Sequence, residues 1–446
     1  MQFIADLHIH SKYSRAVSQS MVLEELDRKA HDKGILVMGT GDFTHPAWFK
    51  ELKEKLEPAE PGLFKLKKEL KRPTLHGEIP ETRFMLTVEI SSIYTKDGKG
   101  HRVHNLVFAP DFETVEKINT QLSWIGNLSS DGRPILGLDS RELVKIVLNS
   151  NPRAVVVPAH AWTPWFSVFG SMSGFDSLED CFGEYAKYIF AIETGLSSDP
   201  LMSWRLSKLD NIAFISNSDS HSLERIGREA NMFDTELSYD GIISAIKNGI
   251  PNSGYIRGNS RGIREMTATI EFFPEEGKYH LDGHRTCGVV MDPKETAERK
   301  GMCPKCGRGV TVGVLSRVEK LADRQELIPE QDGSLRKYNN RIPYHSLIQL
   351  DEIIAKSLGM GTAAKKVKSE YENLIKKFGP ELEILLNVKK EELERARIDS
   401  RITDGVEAVR AGKVIFDPPG YDGEYGKMKF AGVVKKQPAA SQSSLF

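Results

Sequence analysis

The first 250 residues repeat one unit: a short apolar run, a polar tip bearing a metal-type ligand, then an amphipathic stretch. Phe3–Leu7 leads into Asp6-Leu-His8-Ile-His10, and Ile35–Met38 into Gly41-Asp42-Phe-Thr-His45. Phe84–Val88 ends at Glu89, Ala154–Val157 at Pro158-Ala-His160, and Ile189–Ile192 at Glu193. Ile212–Ile215 leads into Asn217-Ser-Asp219-Ser-His221, while Val103–Phe108 carries His104 within it. Between them lie helical patterns over Met21–Lys33, Phe112–Ile125, Ser140–Leu148 and Tyr239–Lys247. Strands alternating with helices predict an α/β fold with a parallel sheet covered by helices. Seven strands suit a closed or nearly closed barrel. The Lys-rich stretch Lys50–Arg72, broken by Pro58 and Pro61, reads as an insertion hanging off it.

Barrels of this kind place their chemistry at the C-terminal ends of the strands. In an extended segment residues i and i+2 project to the same side, so His8/His10 and Asp219/His221 can each present two ligands together. Imidazoles suit Zn, Mn or Fe, and a carboxylate can bridge two ions. Adjacent ions activate water and clamp the attacking and leaving oxygens of a phosphodiester. The candidate metal ligands are His8, His10, Asp42, His45, Glu89, His104, His160, Glu193, Asp219 and His221, with His8, His10, Glu89, Asp219 and His221 closest to the catalytic step. Glu193 fits three roles at this stage: ligand, substrate contact or buried structural acid. No Gly-x-Ser-x-Gly and no catalytic-looking cysteine points to a side-chain nucleophile.

These motifs resemble those of the PHP family, the polymerase-and-histidinol-phosphatase phosphoesterases. The resemblance implies a distorted (β/α)7 PHP barrel and a metal-dependent phosphodiesterase with two or three divalent ions (Zn, Mn or Mg). His8, His10, Glu89 and Asp219 would hold one ion, and Glu89, His104 and His160 a second, with Glu89 bridging. A third would use His221 with Asp42 or His45. Family members often carry histidines where this chain has Tyr13-Ser-Arg-Ala and Phe43, so His45 would have to substitute.

Three of the four cysteines crowd into twenty residues. His284-Arg-Thr-Cys287 and, fifteen residues later, Cys303-Pro-Lys-Cys306-Gly form two closely spaced ligand pairs. Three thiolates and one imidazole make a closed structural zinc site; His280 is the alternative fourth ligand. Cys181 reads as a small buried hydrophobe. The predicted organisation is a barrel over 1–258, a zinc-binding domain over 259–340, a helical domain over 341–410, a hairpin-like segment over 411–434 and a flexible tail over 435–446. The tail ends Gln442-Ser-Ser-Leu445-Phe446, similar to the start of a sliding-clamp (PCNA-type) interaction box.

Barrel, Cys3His element, helical region and the string Gly420-Tyr-Asp-Gly-Glu-Tyr-Gly426, in this order, resemble the lesion-specific repair nucleases of the family. That implies cleavage of damaged DNA on the 5′ side of deaminated bases (uracil, hypoxanthine, xanthine) and abasic sites, leaving 3′-hydroxyl and 5′-phosphate. Reading a deaminated base requires extruding it into a pocket; Tyr13, Trp162 and Trp165 are the candidate pocket or wedge residues. The competing readings are a small-molecule phosphatase, which has no use for the zinc element, and a DNA-binding adaptor with an idle barrel.

Charge modifies this picture. A formal net charge of −1 favours a small substrate over a polyanion. The average hides a division, however: acids gather at the metal face, where bound cations would offset them. Basic residues gather in Lys50–Arg72, near the zinc element and over Arg257–Arg264. No run approaches ~20 apolar residues and no signal peptide is evident, so the expectation is a cytoplasmic, nucleoid-associated protein without a membrane partner.

Overall fold

A computed structural model describes residues 1–75, 77–79, 81–249 and 265–431. The basic run Arg257–Arg264, the boundary expected at 258/259 and the tail residues Gln442, Leu445 and Phe446 lie outside the described residues.

The seven strands form as expected: β1 Gln2–Asp6, β2 Val37–Gly39, β3 Arg83–Lys96, β4 Lys99–Ala109, β5 Val155–Pro158, β6 Ala191–Glu193 and β7 Ala213–Ile215. β1, β2 and β3 run parallel. β4 then runs antiparallel to both β3 and β5, which is the distortion of the barrel. β6 and β7 are parallel, and a bridge between Ile9 and Ser220 brings the end of β7 back to β1. Because β4 is reversed, His104 lies in mid-strand rather than at a strand end.

Strand alternation sorts the apolar side chains into two cores. Ala5, Leu7, Leu106, Phe108, Val155 and Val157 pack together with Ile242 and Ile246 of the helix Tyr239–Asn248. Phe84, Leu86 and Val88 face the other way, with Leu26 and Ala30 of helix Leu23–Lys33, Val115 and Ile118 of Phe112–Ser123, and Leu143 and Val147 of Ser140–Ser150. Asp111, Asp139 and Ser238 cap three of these helices by accepting a backbone N–H, the role short polar side chains take at helix starts.

The stretch Lys50–Arg72 is part of the wall, contrary to the expected insertion. Helix Pro46–Lys55 buries Trp48 and Leu52 completely. Strands Leu56–Pro58 and Phe64–Leu66 pair as a hairpin, and Phe64 pairs with Phe84 of β3. Lys50 and Lys53 are exposed on the side of the helix away from Trp48 and Leu52, so charge density misled.

Beyond β7 the sheet continues. β8 (Ala230–Asp234) runs antiparallel to β1, and β9 (Glu265–Glu271) antiparallel to β8. Tyr344–Ser346 and a hairpin over Glu330–Lys337 extend it further. The sheet therefore passes through the segment expected to be purely zinc-binding. The Cys/His element is an excursion from that sheet, built on strands Asp282–His284 and Val289–Met291 and followed by helix Val314–Leu321.

Five helices, from Leu350–Leu358 to Ser400–Arg410, form the helical unit among the described residues. Lys33 Nζ on the barrel lies 2.6 Å from Glu381 on that unit, and both side chains are nearly inaccessible. A hairpin of Val414–Phe416 with Met428–Phe430 follows. Among the described residues no helix is long and apolar enough to cross a membrane.

Candidate metal centre

The strand ends converge on two groups of ligand atoms. His8, His10 and Asp219 form one, and Glu89, His104 and His160 the other. Glu89, at the middle of β3, stands between them. Its Oε1 lies 2.7 Å from His104 Nδ1 and 3.0 Å from His160 Nε2. Its Oε2 faces His10 Nε2 at 3.5 Å, and Oε1 faces His8 Nε2 at 3.9 Å. Asp219 Oδ1 completes the first group, 3.1 Å from His10 Nε2 and 3.6 Å from His8 Nε2.

Two of the candidate carboxylates, Glu193 and Asp42, face the Nδ1 atoms of histidines. Both oxygens of Glu193 lie 3.1 Å from His8 Nδ1, and they also accept from Asn217 Nδ2 and the His160 backbone N–H. Asp42 Oδ1 lies 3.1 Å from His10 Nδ1, while Oδ2 accepts from the N–H and hydroxyl of Ser11 and from the hydroxyl of Ser14. A carboxylate on one ring nitrogen fixes the tautomer and aims the other nitrogen at the centre. On His160 this role falls to the hydroxyls of Thr163 and Ser167, 3.1 and 3.2 Å from Nδ1. Ser91 Oγ lies 3.1 Å from Nε2 of His104.

His221, Asp42 and His45, the residues expected at a third site, are not brought together as one group of ligand atoms. Asp42 is fully engaged, and His45 stacks on Tyr13 at 4.4 Å between ring centroids at the start of helix Pro46–Lys55. His221 reaches the cleft, its ring 4.7 Å from His10, but its Nδ1 is turned to the Asp219 carbonyl at 3.0 Å.

The donor set fits divalent cations. His8 Nε2 is buried without a hydrogen-bond partner, as a nitrogen aimed at an ion would be. Burial pushes His104 down to about 4. Burial opposes ionisation of Glu89, yet His104 and Arg133 hold its carboxyl well below the usual range. Burial also disfavours charge on His8 and His10. Glu193 and Asp219 nevertheless raise His8 to about 9, and Asp219 and Asp42 raise His10 to about 10. The same negative field favours a cation that competes with these protons. Asp42, His160 and Asp219 all adopt positive φ, a strained conformation that recurs at functional sites.

These groups open into a cleft of about 1040 Å³. Arg15, Arg102, Arg133, Arg225, Arg228 and Lys278 line it. Arg133 Nη1 lies 3.0 Å from Glu89 Oε2; it follows Asp131-Gly132 in a loop, with no strand-end position to betray it in the sequence. The aromatic candidates divide. Trp165 lines the cleft, 5.9 Å from Tyr279, beside Phe166. Trp162 is buried against Phe169 and donates to Ser203 Oγ, so it belongs to the core. Tyr13 stacks on His45 and donates to Glu51, away from the cleft lining.

At the second centre His284, Cys287, Cys303 and Cys306 bring their ligand atoms within 4.8 Å of one another. The Cys303 backbone N–H donates to Arg308 and its carbonyl accepts from Gly307, closing the knuckle. Burial disfavours the Cys303 thiolate, but the N–H groups of Cys306 and Lys305 help bring it down to about 6. His280 is buried elsewhere, near the Ser197 carbonyl, and is not the fourth ligand of this group.

Comparison with known proteins agrees with this layout. Residues 201–250 match the PHP-associated family model and residues 349–413 the model of the MJ0043 C-terminal domain. The lesion-specific endonuclease PfuEndoQ from Pyrococcus furiosus is 31% identical, superposes with a TM-score of 0.79, and is covered over 100% of both chains. The chain belongs to the endonuclease Q family. Endonuclease Q has also been solved with a 27-mer duplex substrate carrying an abasic lesion at the active site; that structure is 31% identical, with a TM-score of 0.81 over 99% of this chain and 100% of that one. Among curated relatives, uncharacterized protein MJ0043 of Methanocaldococcus jannaschii is 35% identical over 277 residues, 61% of this chain. The chain spans only 31% of that relative's length. Uncharacterized protein YqxK of Bacillus subtilis is 27% identical over 444 residues, 95% of this chain and 98% of the relative. The fold is thus a distorted PHP-type α/β barrel with appended Cys/His and helical units.

Proposed function

We propose that the chain is a metal-dependent DNA repair endonuclease that cuts 5′ of deaminated bases (uracil, hypoxanthine, xanthine) and abasic sites, leaving 3′-hydroxyl and 5′-phosphate. The observation that carries the metal chemistry is Glu89, whose carboxylate stands between two groups of histidines. His8, His10, Glu89 and Asp219 would hold one divalent ion, and Glu89, His104 and His160 a second. Bound there, such ions lower the pKa of water and neutralise charge on a phosphodiester.

The chain's own residues supply the rest. Asp42 and Glu193 hold the imidazoles in one tautomer. Arg133, which lines the cleft beside Glu89, would pair with a phosphate oxygen. His221, at the edge of the cleft, would give a proton to the departing O3′. Water adds to phosphorus, the P–O3′ bond breaks, and O3′ takes a proton, so the damaged nucleotide keeps its 5′-phosphate. Trp165 and Phe166 offer stacking surface to an extruded nucleotide. The cationic lining supports a polyanionic substrate; a small phosphate ester would not need a cleft of this breadth.

His284, Cys287, Cys303 and Cys306 would hold one structural zinc, since four protein ligands leave no position for water. Its helix Val314–Leu321 docks on the barrel through Arg317, which donates to the carbonyls of Phe169 and Phe175. The tail residues Gln442, Leu445 and Phe446 would tether the enzyme to a PCNA-type clamp and raise its effective concentration on nucleoid DNA.

The reading is tested with duplexes carrying one uracil, one hypoxanthine or neither, alongside p-nitrophenyl phosphate, each with Mg, Mn or Zn. Nicking confined to the 5′ side of the lesion supports it. Hydrolysis of the small ester alone supports a phosphatase, and binding unaltered by Asp219→Ala without cleavage supports an adaptor.

A further inference from the structure

The string Gly420-Tyr-Asp-Gly-Glu-Tyr-Gly426 is distinctive in the sequence, and the metal chemistry makes no use of it. In the fold it is a strap laid along residues 275–281. The Gly420 N–H donates to the Glu275 carbonyl at 2.7 Å, and the Gly426 N–H to that of Glu276 at 2.8 Å. Both glycines are required by close approach: a Cβ at Gly420 would lie 2.0 Å from the Gly277 carbonyl oxygen, and one at Gly426 2.2 Å from that of Glu275. Asp422 pins the strap to the Cys/His element, accepting from the Arg285 N–H and the Thr311 hydroxyl.

This geometry presents one side chain. Tyr425 is 42% exposed at the junction between the metal cleft and a neighbouring chamber of about 340 Å³ that borders the helical unit. Its hydroxyl accepts from Arg228 Nη1 at 3.3 Å. The same guanidinium donates from Nε to the Ser218 carbonyl and from Nη2 to the Asp219 carbonyl. One rigid fork therefore sets the position of the ring relative to a residue of the metal centre. Lys278 Nζ lies over the ring, 4.7 Å from its centroid. An exposed, tethered aromatic flanked by cations is the combination that binds single-stranded nucleic acid: the ring takes a base and the cations take phosphates. An inorganic phosphate would have no use for the ring, and a protein partner would need a wider apolar surface than one tyrosine.

We propose that Tyr425 is a stacking platform for a nucleobase of the DNA strand in the cleft, and so helps determine where that strand is cut. The proposal rests on the endonuclease reading above. Its test uses the full chain with Tyr425→Ala, Tyr425→Phe and Tyr425→Trp, and uracil duplexes bearing 2-aminopurine in turn at each position flanking the lesion. The alanine variant should raise KM by about 5–100-fold, the loss of one stacked base, with an unchanged melting temperature. It should also abolish quenching of one of the 2-aminopurines, while Phe and Trp retain quenching. Wild-type KM and wild-type quenching at every position in the alanine variant would overturn the proposal. If the wild-type protein nicks no lesion, the endonuclease reading falls; quenching measured by equilibrium binding to the uncut duplex still decides whether Tyr425 stacks on a base.

Discussion

Both carboxylate oxygens of Glu193 lie 3.1 Å from Nδ1 of His8, and the Nε2 of that ring is buried without a partner. The pair makes Glu193 an orienting group, as Asp42 is for His10. Removing such a partner usually costs 10–100-fold in metal affinity or activity. Glu193→Gln and Asp42→Asn should each weaken Mn binding, measured by isothermal titration, by about that factor. Asp219→Ala, which deletes a predicted ligand, should abolish binding at one site. Full affinity in Glu193→Gln would return that residue to a purely structural role.

Trp162 and Trp165 are three residues apart and should behave in opposite ways. Trp162→Ala empties a fully buried site and should cost about 3–5 kcal/mol of stability. Trp165→Ala should change stability by less than about 0.5 kcal/mol yet raise KM for lesion-bearing duplex. Urea unfolding and steady-state kinetics on both variants check this; a destabilised Trp165→Ala would place that ring in the core.

The barrel and the helical unit share the buried Lys33–Glu381 pair. Lys33→Met leaves an uncompensated buried carboxylate and should destabilise the chain by about 3–5 kcal/mol. The double variant Lys33→Met with Glu381→Leu should recover most of the loss, since a buried ion pair adds little over apolar groups of similar size. A double variant as unstable as the single one would show that the charges themselves are required.

Asp27, on helix Leu23–Lys33, is inaccessible, and burial pushes its carboxyl up to about 7 against the nearby charge of Lys71. The folded state therefore holds this proton more tightly than the unfolded chain. Its contribution to stability is full below pH 4 and declines as pH rises through 7. Asp27→Asn removes that decline, so the variant's advantage over wild type should be greater at pH 8 than at pH 5 by about 1–3 kcal/mol. Denaturant midpoints at the two pH values report it, and an equal difference at both would refute it.

The sequence was most legible where chemistry and local geometry coincide. His8/His10 and Asp219/His221 follow the two-residue repeat of extended chain, so their convergence could be anticipated, as could the two Cys/His pairs. Less legible was anything set by neighbours across the sheet. A strand-end carboxylate looks the same whether it meets an ion or a ring nitrogen, so the sequence does not separate these roles for Asp42 and Glu193. Periodicity carries no direction, so the reversal of β4 was hidden. Trp162 and Trp165 differ only in which side of one loop they occupy. Arg133 and Tyr425 sit on loops whose path is fixed by contacts distant in sequence.

The central claim is that the two ligand groups sharing Glu89 hold the ions that cut DNA. The most direct measurement takes protein stripped by chelation, with its zinc restored at one equivalent, and titrates Mn against nicking of a duplex carrying one abasic site. Products are mapped at nucleotide resolution. No cleavage should occur without Mn. Cleavage on the 5′ side should appear with a dependence on two binding steps, and Glu89→Gln should lack it. Undiminished cleavage by the stripped protein, or by Glu89→Gln, would contradict the account.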